Sequence, residues 1–306
     1  MKGMYDNKGS ATILMAMIAG VIITIGVGFN WLVQEHLKNS EGLRNKAEAI
    51  LKARSAYGSL IYLILNGRMT QKDVLFAGGQ EFSKLGKLPL DNQKVLIGDD
   101  VYIQAQDSNG MLSLSVVQEA VMRRMITKIG RLENSAVPVE SFLDWIIPGE
   151  FARPNGAKSF YYQAQGLPYK SRNYAMQYVE ELTMIKGFDR ALYDKMRPYL
   201  TLLPATGFNP NTAGDDVLMA YLDINEETLK VLRDFMATKP LSSDAELFAL
   251  TGRRLVHDEG TFFYPSAYMD VTVSVGRPRS FYTIRCGLSI RHNNIAPYSI
   301  MYWIEE

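Results

Sequence analysis

Residues Gly9–His36 read GSATILMAMIAGVIITIGVGFNWLVQEH, and Gly9 to Gln34 carry no ionisable side chain. About 20 helical residues rising about 1.5 Å each cross the ~30 Å hydrocarbon core of a bilayer, so this run is long enough to span one. A short polar segment, MKGMYDNKG, stands ahead of it and ends in Lys8-Gly9. The run itself closes with NWLVQEH, without the small-residue A-x-A site that would follow the apolar region of an ordinary secretory signal. Three readings compete: a plain N-terminal anchor, an uncleaved signal, and a leader cut before its apolar segment.

Apolar residues then recur at Leu43, Ala47, Ile50, Tyr57, Ile61 and Ile64, in three- and four-residue steps apart from the slot at Arg54. That is one helical stripe. No proline occurs between Met1 and Met69, and Asn66-Gly67 is a natural stop. The pattern predicts one helix from Thr12 to Asn66, on the order of 80 Å long. Its first half would lie in lipid and its second half would pack an amphipathic face on a soluble domain.

Strand signals come next. KVLIGDDVYIQAQDSNGMLSLS holds two β-rich runs around Gly98-Asp99-Asp100 and a turn at Asp107-Ser108-Asn109-Gly110. Near the C-terminus, YMDVTVSVG alternates Val271, Val273 and Val275; FYTIRCGLSIR, a turn at His292-Asn293-Asn294 and YSIMYWIEE follow. Three such runs with short connections predict an antiparallel meander. The strands before and after the intervening block are expected in one sheet, because short hairpins alone are marginal.

That block, Ser113 to Thr251, reads as helical. Its segments are SVVQEAVMRRMITKIG, VPVESFLDWI with Pro138 near the helix start, NYAMQYVEELTMI, DRALYDKMRPYL, AGDDVLMAYL, NEETLKVLRDFM and SDAELFAL. The last carries a capping-box pattern from Ser243 to Glu246. IKGFDRALYDKMR and YLDINEETLKVLR align without gaps at an offset of 36 residues, matching Phe188 with Ile224, Asp189 with Asn225 and Met196 with Leu232. Both read as helix–turn–helix hairpins.

Little here carries chemistry. The hairpin turns, Ile185-Lys186-Gly187-Phe188 and Leu222-Asp223-Ile224-Asn225, lack the paired glycines with which such hairpins grip phosphates. Ser115–Leu250 has 15 basic against 17 acidic residues, and the whole chain of 306 residues has a formal net charge of +1, so a nucleic-acid partner is not expected. His36, His257 and His292 lie in unrelated segments without metal spacing. P-loop, dinucleotide and G-x-S-x-G motifs are absent. Asp99-Asp100 and Asp215-Asp216 fit a turn and a helix start. Tyr161, Tyr162, Tyr169, Tyr174 and Tyr178 crowd a Gly/Pro-punctuated connection, read as a loop tied down by its own rings rather than an interaction surface. Cys286, the single cysteine, excludes an internal disulfide framework and reads as a buried small hydrophobe. With 47% hydrophobic residues the chain can build a packed core, and no catalytic constellation is found; the protein is not expected to be an enzyme.

A leader ending in glycine, an uncut apolar run and a helix that is half span and half domain spine resemble the type IV pilin superfamily. The segments LDWI…RPNGA…YY, YKSRNYAMQYVEELTMIKGFDRALYDKMRPYLT, FNPNTAGDDVL and YTIRCGLSIRH…YSIMYWIEE are similar to the minor pseudopilin K family of type II secretion. The resemblance implies an α+β fold, a pilin-like long N-terminal helix packed on an antiparallel sheet, with a large all-α domain inserted between strands. It implies a leader at 1–9, a transmembrane helix at 10–33, a pilin-like α/β domain at 34–112 and 252–306, and an inserted helical domain at 113–251. Prepilin peptidase would cut Gly9–Ser10 on the cytoplasmic side and the amine of Ser10 would be methylated. Implied partners are the I- and J-type minor pseudopilins, the major pseudopilin and the inner-membrane assembly platform. The place implied is a bacterial inner membrane with a periplasmic C-terminal domain, at the tip of a secretion pseudopilus.

Leu14, fifth after the implied cut, stands where most pilins carry glutamate. A lone carboxylate in lipid costs ~2.5–3.5 kcal/mol even on insertion scales and needs a neighbour's amine, so Leu14 suits a subunit with none ahead of it. A plain anchor would also prefer leucine. The resemblance further implies calcium after Asp-Trp-Ile, yet DWIIPGEFARPNGAKSFYY keeps Asp144 and Glu150 and puts Ile147 and Lys158 where carboxylates are expected. Calcium takes several oxygen ligands, so no metal or other cofactor is expected. The alternatives are a tip minor pilin of a type IV pilus-like machine and a membrane-anchored periplasmic hydrolase.

Overall fold

The computed structural model describes residues 10–76, 86–254, 263–276, 282–291 and 295–306. The leader with Gly9, His257 and the turn at His292–Asn294 therefore lie outside the described residues. Helix α1 runs Ser10–Asn66. Two compact units divide the chain, Met1–Lys52 and Ala53–Glu306.

In the first unit every described side chain from Ala11 to Glu48 is exposed. The stripe is thus only partly used: Tyr57, Ile61 and Ile64 are buried, whereas Leu43 and Ala47 stay exposed. Periodicity marks a face and does not say what covers it. The helix ends where expected. A Cβ at Gly67 would meet Val74 Cγ1 at 2.5 Å, so only glycine fits the exit.

In the second unit, α1 residues from Ala53 onward lie on a five-stranded sheet. Its strands are β4 (Val95–Ile97), β5 (Val101–Asp107), β8 (Tyr268–Val275), β9 (Tyr282–Ser289) and β10 (Ser299–Glu305), in the order β10-β9-β8-β5-β4. All neighbours are antiparallel. Ile103, Ala105, Met269, Val271, Val273, Ile284, Cys286 and Leu288 are buried at period two, which is why the alternating runs form half-buried strands. Tyr57 meets Trp303 edge-to-face at 4.9 Å, a contact that adds roughly 0.5–1.5 kcal/mol to area burial. Gly287 has no room for a Cβ, which would sit 2.6 Å from the Tyr302 ring. That ring crosses it to donate to Asp270.

Strands β5 and β8 pair in register from Val101↔Val275 to Asp107↔Met269, as expected for two halves of one sheet. Two small sheets were not expected. Strands β1 (Arg68–Met69), β2 (Asp73–Leu75) and β3 (Lys87–Pro89) form one, and β6 (Leu112–Ser113) pairs in parallel with β7 (Leu200–Thr201).

The helices between β6 and β8 are α2 (Glu119–Lys128), α3 (Ala136–Ile146), α4 (Ser159–Ala164), α5 (Arg190–Met196), α6 (Asp215–Leu222), α7 (Glu226–Thr238) and α8 (Asp244–Thr251). They bury one core that includes Met122, Ile126, Phe142, Tyr162, Met196, Leu218, Leu232 and Leu247. The repeat is real at its turns. Gly187 and Asp223 both take positive φ (+89° and +52°), Asp189 accepts from Leu192 N at 2.7 Å, and Asn225 accepts from Thr228 N at 2.9 Å. Ser243 caps α8 through Glu246 N, but the Glu246 carboxylate returns to Ser242 N rather than to Ser243, so the expected capping box is shifted by one residue.

The first arm of the first hairpin is a correction. NYAMQYVEELTMI is not an α-helix; only Val179–Met184 is helical, and it is a 3₁₀-helix. Glu181 is the cause. Its buried carboxylate accepts from Gln177 N, Tyr178 N, Arg172 and Trp145, so two amides that a helix would have used are bound to a side chain.

Candidate functional site: the N-terminal helix and two buried aspartates

Ser10 opens α1, and Leu14 lies one turn on, exposed. A helix satisfies its own backbone polar groups, and the side-chain hydroxyl of Thr24 donates to Gly20 O at 2.8 Å. With apolar side chains on every face and no charge before Glu35, Ala11–Val33 meets the requirements of a span; α1 is the one helix of sufficient length and apolar character among the described residues. His36 lies just beyond, on the same helix.

The segments that follow α3 meet around Asp144, which is fully buried. Arg153 clamps it: the guanidinium donates to Oδ1 at 2.6 Å and the Arg153 backbone N–H to Oδ2 at 2.9 Å. Gly156 is required here, since a Cβ would fall 1.9 Å from Asp144 Oδ2. Asn155 binds Glu140 through its backbone N–H at 2.8 Å and its side-chain amide at 3.2 Å. Lys186 then donates to the carbonyls of Asn155 and Gly156, both at 3.2 Å. The segment RPNGA is therefore a carboxylate-binding turn.

Lys158, only 4% exposed, turns its ammonium inward. It donates to the Ile147 carbonyl and, at 2.9 Å, to Asn173 Oδ1. Asn173 holds a left-handed φ of +55° and donates its side-chain amide to Glu150 at 2.9 Å. Glu150 also accepts from Ser159 at 3.2 Å. Burial pushes the Lys158 ammonium below its ordinary pKa, against the opposing pull of Asp144 and Glu150. The residues do not fit calcium: the Asp144 oxygens are held by Arg153, and two other oxygens face an ammonium. Among the described residues no three His, Cys, Asp or Glu side chains converge as a metal site.

The second buried aspartate, Asp107, is 1% exposed at the end of β5. Its Oδ1 accepts from Ser266 N (2.8 Å) and Asn109 N (3.1 Å), and its Oδ2 from Thr212 Oγ1 (2.8 Å) and Asn209 Nδ2 (3.2 Å). Asn209 reaches on to the Gln71 carbonyl, and Asn211 exchanges two hydrogen bonds with Leu241. FNPNTA thus ties the sheet to the segment between α7 and α8. Burial raises the Asp107 carboxyl above the usual range, and hydrogen bonds from Ser266, Thr212 and Asn109 oppose that shift.

The remaining candidates are structural. Tyr161 and Tyr169 both pack on Tyr162, and Trp145 meets Tyr162 and Tyr169 edge-on, whereas Tyr174 and Tyr178 are exposed and join no such pair among the described residues. Asp215 pairs with Arg233, Asp216 accepts from Tyr199, and Asp99-Asp100 forms the β4–β5 turn. Cys286 is buried, and its thiol is pushed up to about 11 by that burial, the opposite of an activated nucleophile. Sequence reading missed Asp107 and Glu181 as hydrogen-bond hubs. Asn209, Asn211 and Thr212, polar residues packed together in an otherwise helical block, were the available signal for the first.

Comparison with known proteins gives a consistent picture. Residues 103–205 match the family model described as type II secretion system (T2SS), protein K. The type II secretion system protein K of Pectobacterium carotovorum subsp. carotovorum is 24% identical over 265 residues, covering 80% of this chain and 79% of that protein. That of Klebsiella pneumoniae is 30% identical over 124 residues, covering 39% and 38%. In the crystal structure of the GspK–GspI–GspJ complex from the enterotoxigenic Escherichia coli type 2 secretion system, one chain matches with a TM-score of 0.50 at 16% identity. The match covers 90% of this chain and 99% of that one.

Proposed function

We propose, on the premise that this chain is a type II secretion protein K-like subunit over four-fifths of its length, that it caps the pseudopilus and helps to start its assembly. The role is structural, not catalytic. The charge-free start of α1 would anchor the subunit in the inner membrane, with the leader in the cytoplasm and the sheet and later helices in the periplasm. Prepilin peptidase would cut before Ser10, whose amine is then methylated. The I- and J-type minor pseudopilins, the two named beside GspK in the matched complex, would be its neighbours at the tip. The major pseudopilin and the assembly platform would be met as the filament grows.

One observation carries the reading. Strands β5 and β8 are adjacent in the sheet, yet the seven helices α2 to α8 lie between them in the chain. A head enlarged by something the size of an ordinary domain would clash if repeated along a thin filament, so it suits a terminal position. Leu14 agrees, because a terminal subunit has no amine ahead of it to neutralise a carboxylate. Immunogold labelling of sheared filaments tests the claim. Label at one end is expected; label along the shaft would overturn capping. Gly9→Val should leave the leader attached in the same preparation, as read by mass spectrometry.

A further inference from the structure

The geometry points to Lys158 and Arg153 as built-in cations that order the 147–173 loop, so that this loop folds without a divalent metal ion. Several observations converge on it. The Lys158 ammonium lies among oxygens, those of Ile147 and Asn173, with the carboxylates of Asp144 and Glu150 close enough to favour its charge. The Arg153 guanidinium binds Asp144 directly. Two positive and two negative side chains balance, whereas a divalent ion added to the same loop would leave uncompensated positive charge in a buried place.

The links are also mechanical. Asn173 accepts from Lys158 through its oxygen and donates to Glu150 through its nitrogen, and its backbone N–H donates to Trp145 O at 2.7 Å. One residue thereby joins the ammonium, the acidic residue and the end of α3. An oxygen-ligated metal does the same work by drawing carbonyl, amide and carboxylate oxygens to one point at 2.3–2.6 Å. Here a nitrogen on a flexible four-carbon stem replaces it, arriving with the chain instead of from solution.

The test uses the full chain in detergent micelles and follows thermal unfolding by circular dichroism, with EDTA or with excess calcium chloride. The wild-type midpoint is expected to be the same in both. Lys158→Met in EDTA should lower it by on the order of 10 °C, because a buried carboxylate loses a compensating cation. Lys158→Asp supplies a further carboxylate, and calcium should raise its midpoint while leaving the wild type unmoved. A wild-type midpoint that falls in EDTA or rises with calcium would overturn the inference, and this arm needs no variant to fold. A Lys158→Met protein as stable as the wild type would overturn it equally. Either result leaves the filament-tip reading standing, since that rests on labelling and not on the loop.

Discussion

Asp107 joins β5 to the loop before α6, and Asp144 joins α3 to the loop after it. Both carboxylates are almost completely buried, and both collect backbone and side-chain donors. Asp144 meets a guanidinium, with an ammonium nearby; among the described residues Asp107 meets neutral donors, two amides of the backbone, a hydroxyl and a side-chain amide. The difference follows what each must connect. A loop folded back on its own helix can bring long cationic side chains from a few residues away. At the junction of β5 with two distant segments, small residues with fixed hydrogen-bonding groups supply the donors instead.

Removing one side of each interaction should separate the two solutions. Asp107→Ala leaves four buried donors without an acceptor, and the expected loss is on the order of 4 kcal/mol in denaturant unfolding. A loss below about 1 kcal/mol would mean that water replaces the carboxylate at no cost. Arg153→Met leaves Asp144 without its direct cation. Because the guanidinium is about a third exposed, solvent screens the pair, and a smaller loss of roughly 2 kcal/mol is expected. Equal losses would erase the distinction between junction and loop.

Acid should sharpen the comparison further. The Asp107 carboxyl is raised in the folded protein, so the fold holds its proton more tightly than the unfolded chain. Its contribution favours the fold at low pH and is lost as pH rises through the folded-state value. Glu246 runs the other way: Lys239 and Ser242 hold it down to about 2, so its contribution is present above the ordinary glutamate range and lost as pH falls towards that value. Asp107→Asn should therefore remove the part of the pH dependence that favours acid, measured as unfolding free energy between mildly acidic and neutral pH. An unchanged profile would show that the four donors, not burial, govern that carboxyl.

The fold was legible where a pattern repeats. Val271, Val273 and Val275 gave β8, the stop at Asn66-Gly67 gave the end of α1, and the 36-residue offset gave two turns with matching caps. Strands of two or three residues, such as β1, β6 and β7, are too short to show a period. NYAMQYVEELTMI has helical spacing and is not an α-helix, because Glu181 draws in donors that lie far apart in sequence, among them Trp145. At the candidate site, Lys158 stood out as a departure from the carboxylates that the resemblance implies, yet its inward turn depends on Asn173, which carries no pattern at all. Asp107 read as an ordinary turn residue for the same reason.

The pairing of β5 with β8 also orders events in time. Val101 must find Val275, whereas Val275 needs only Tyr282 to start the next pair. Loop closure scales as (3/2)RT ln n, so the longer search costs roughly 3 kcal/mol more in chain entropy if nothing between has folded. Helices α2 to α8 would shorten that search by collapsing first. A chain emerging N-terminus first would carry β5 as a half-finished sheet until its last forty residues arrive, and a folded helical block would keep the two edges within reach.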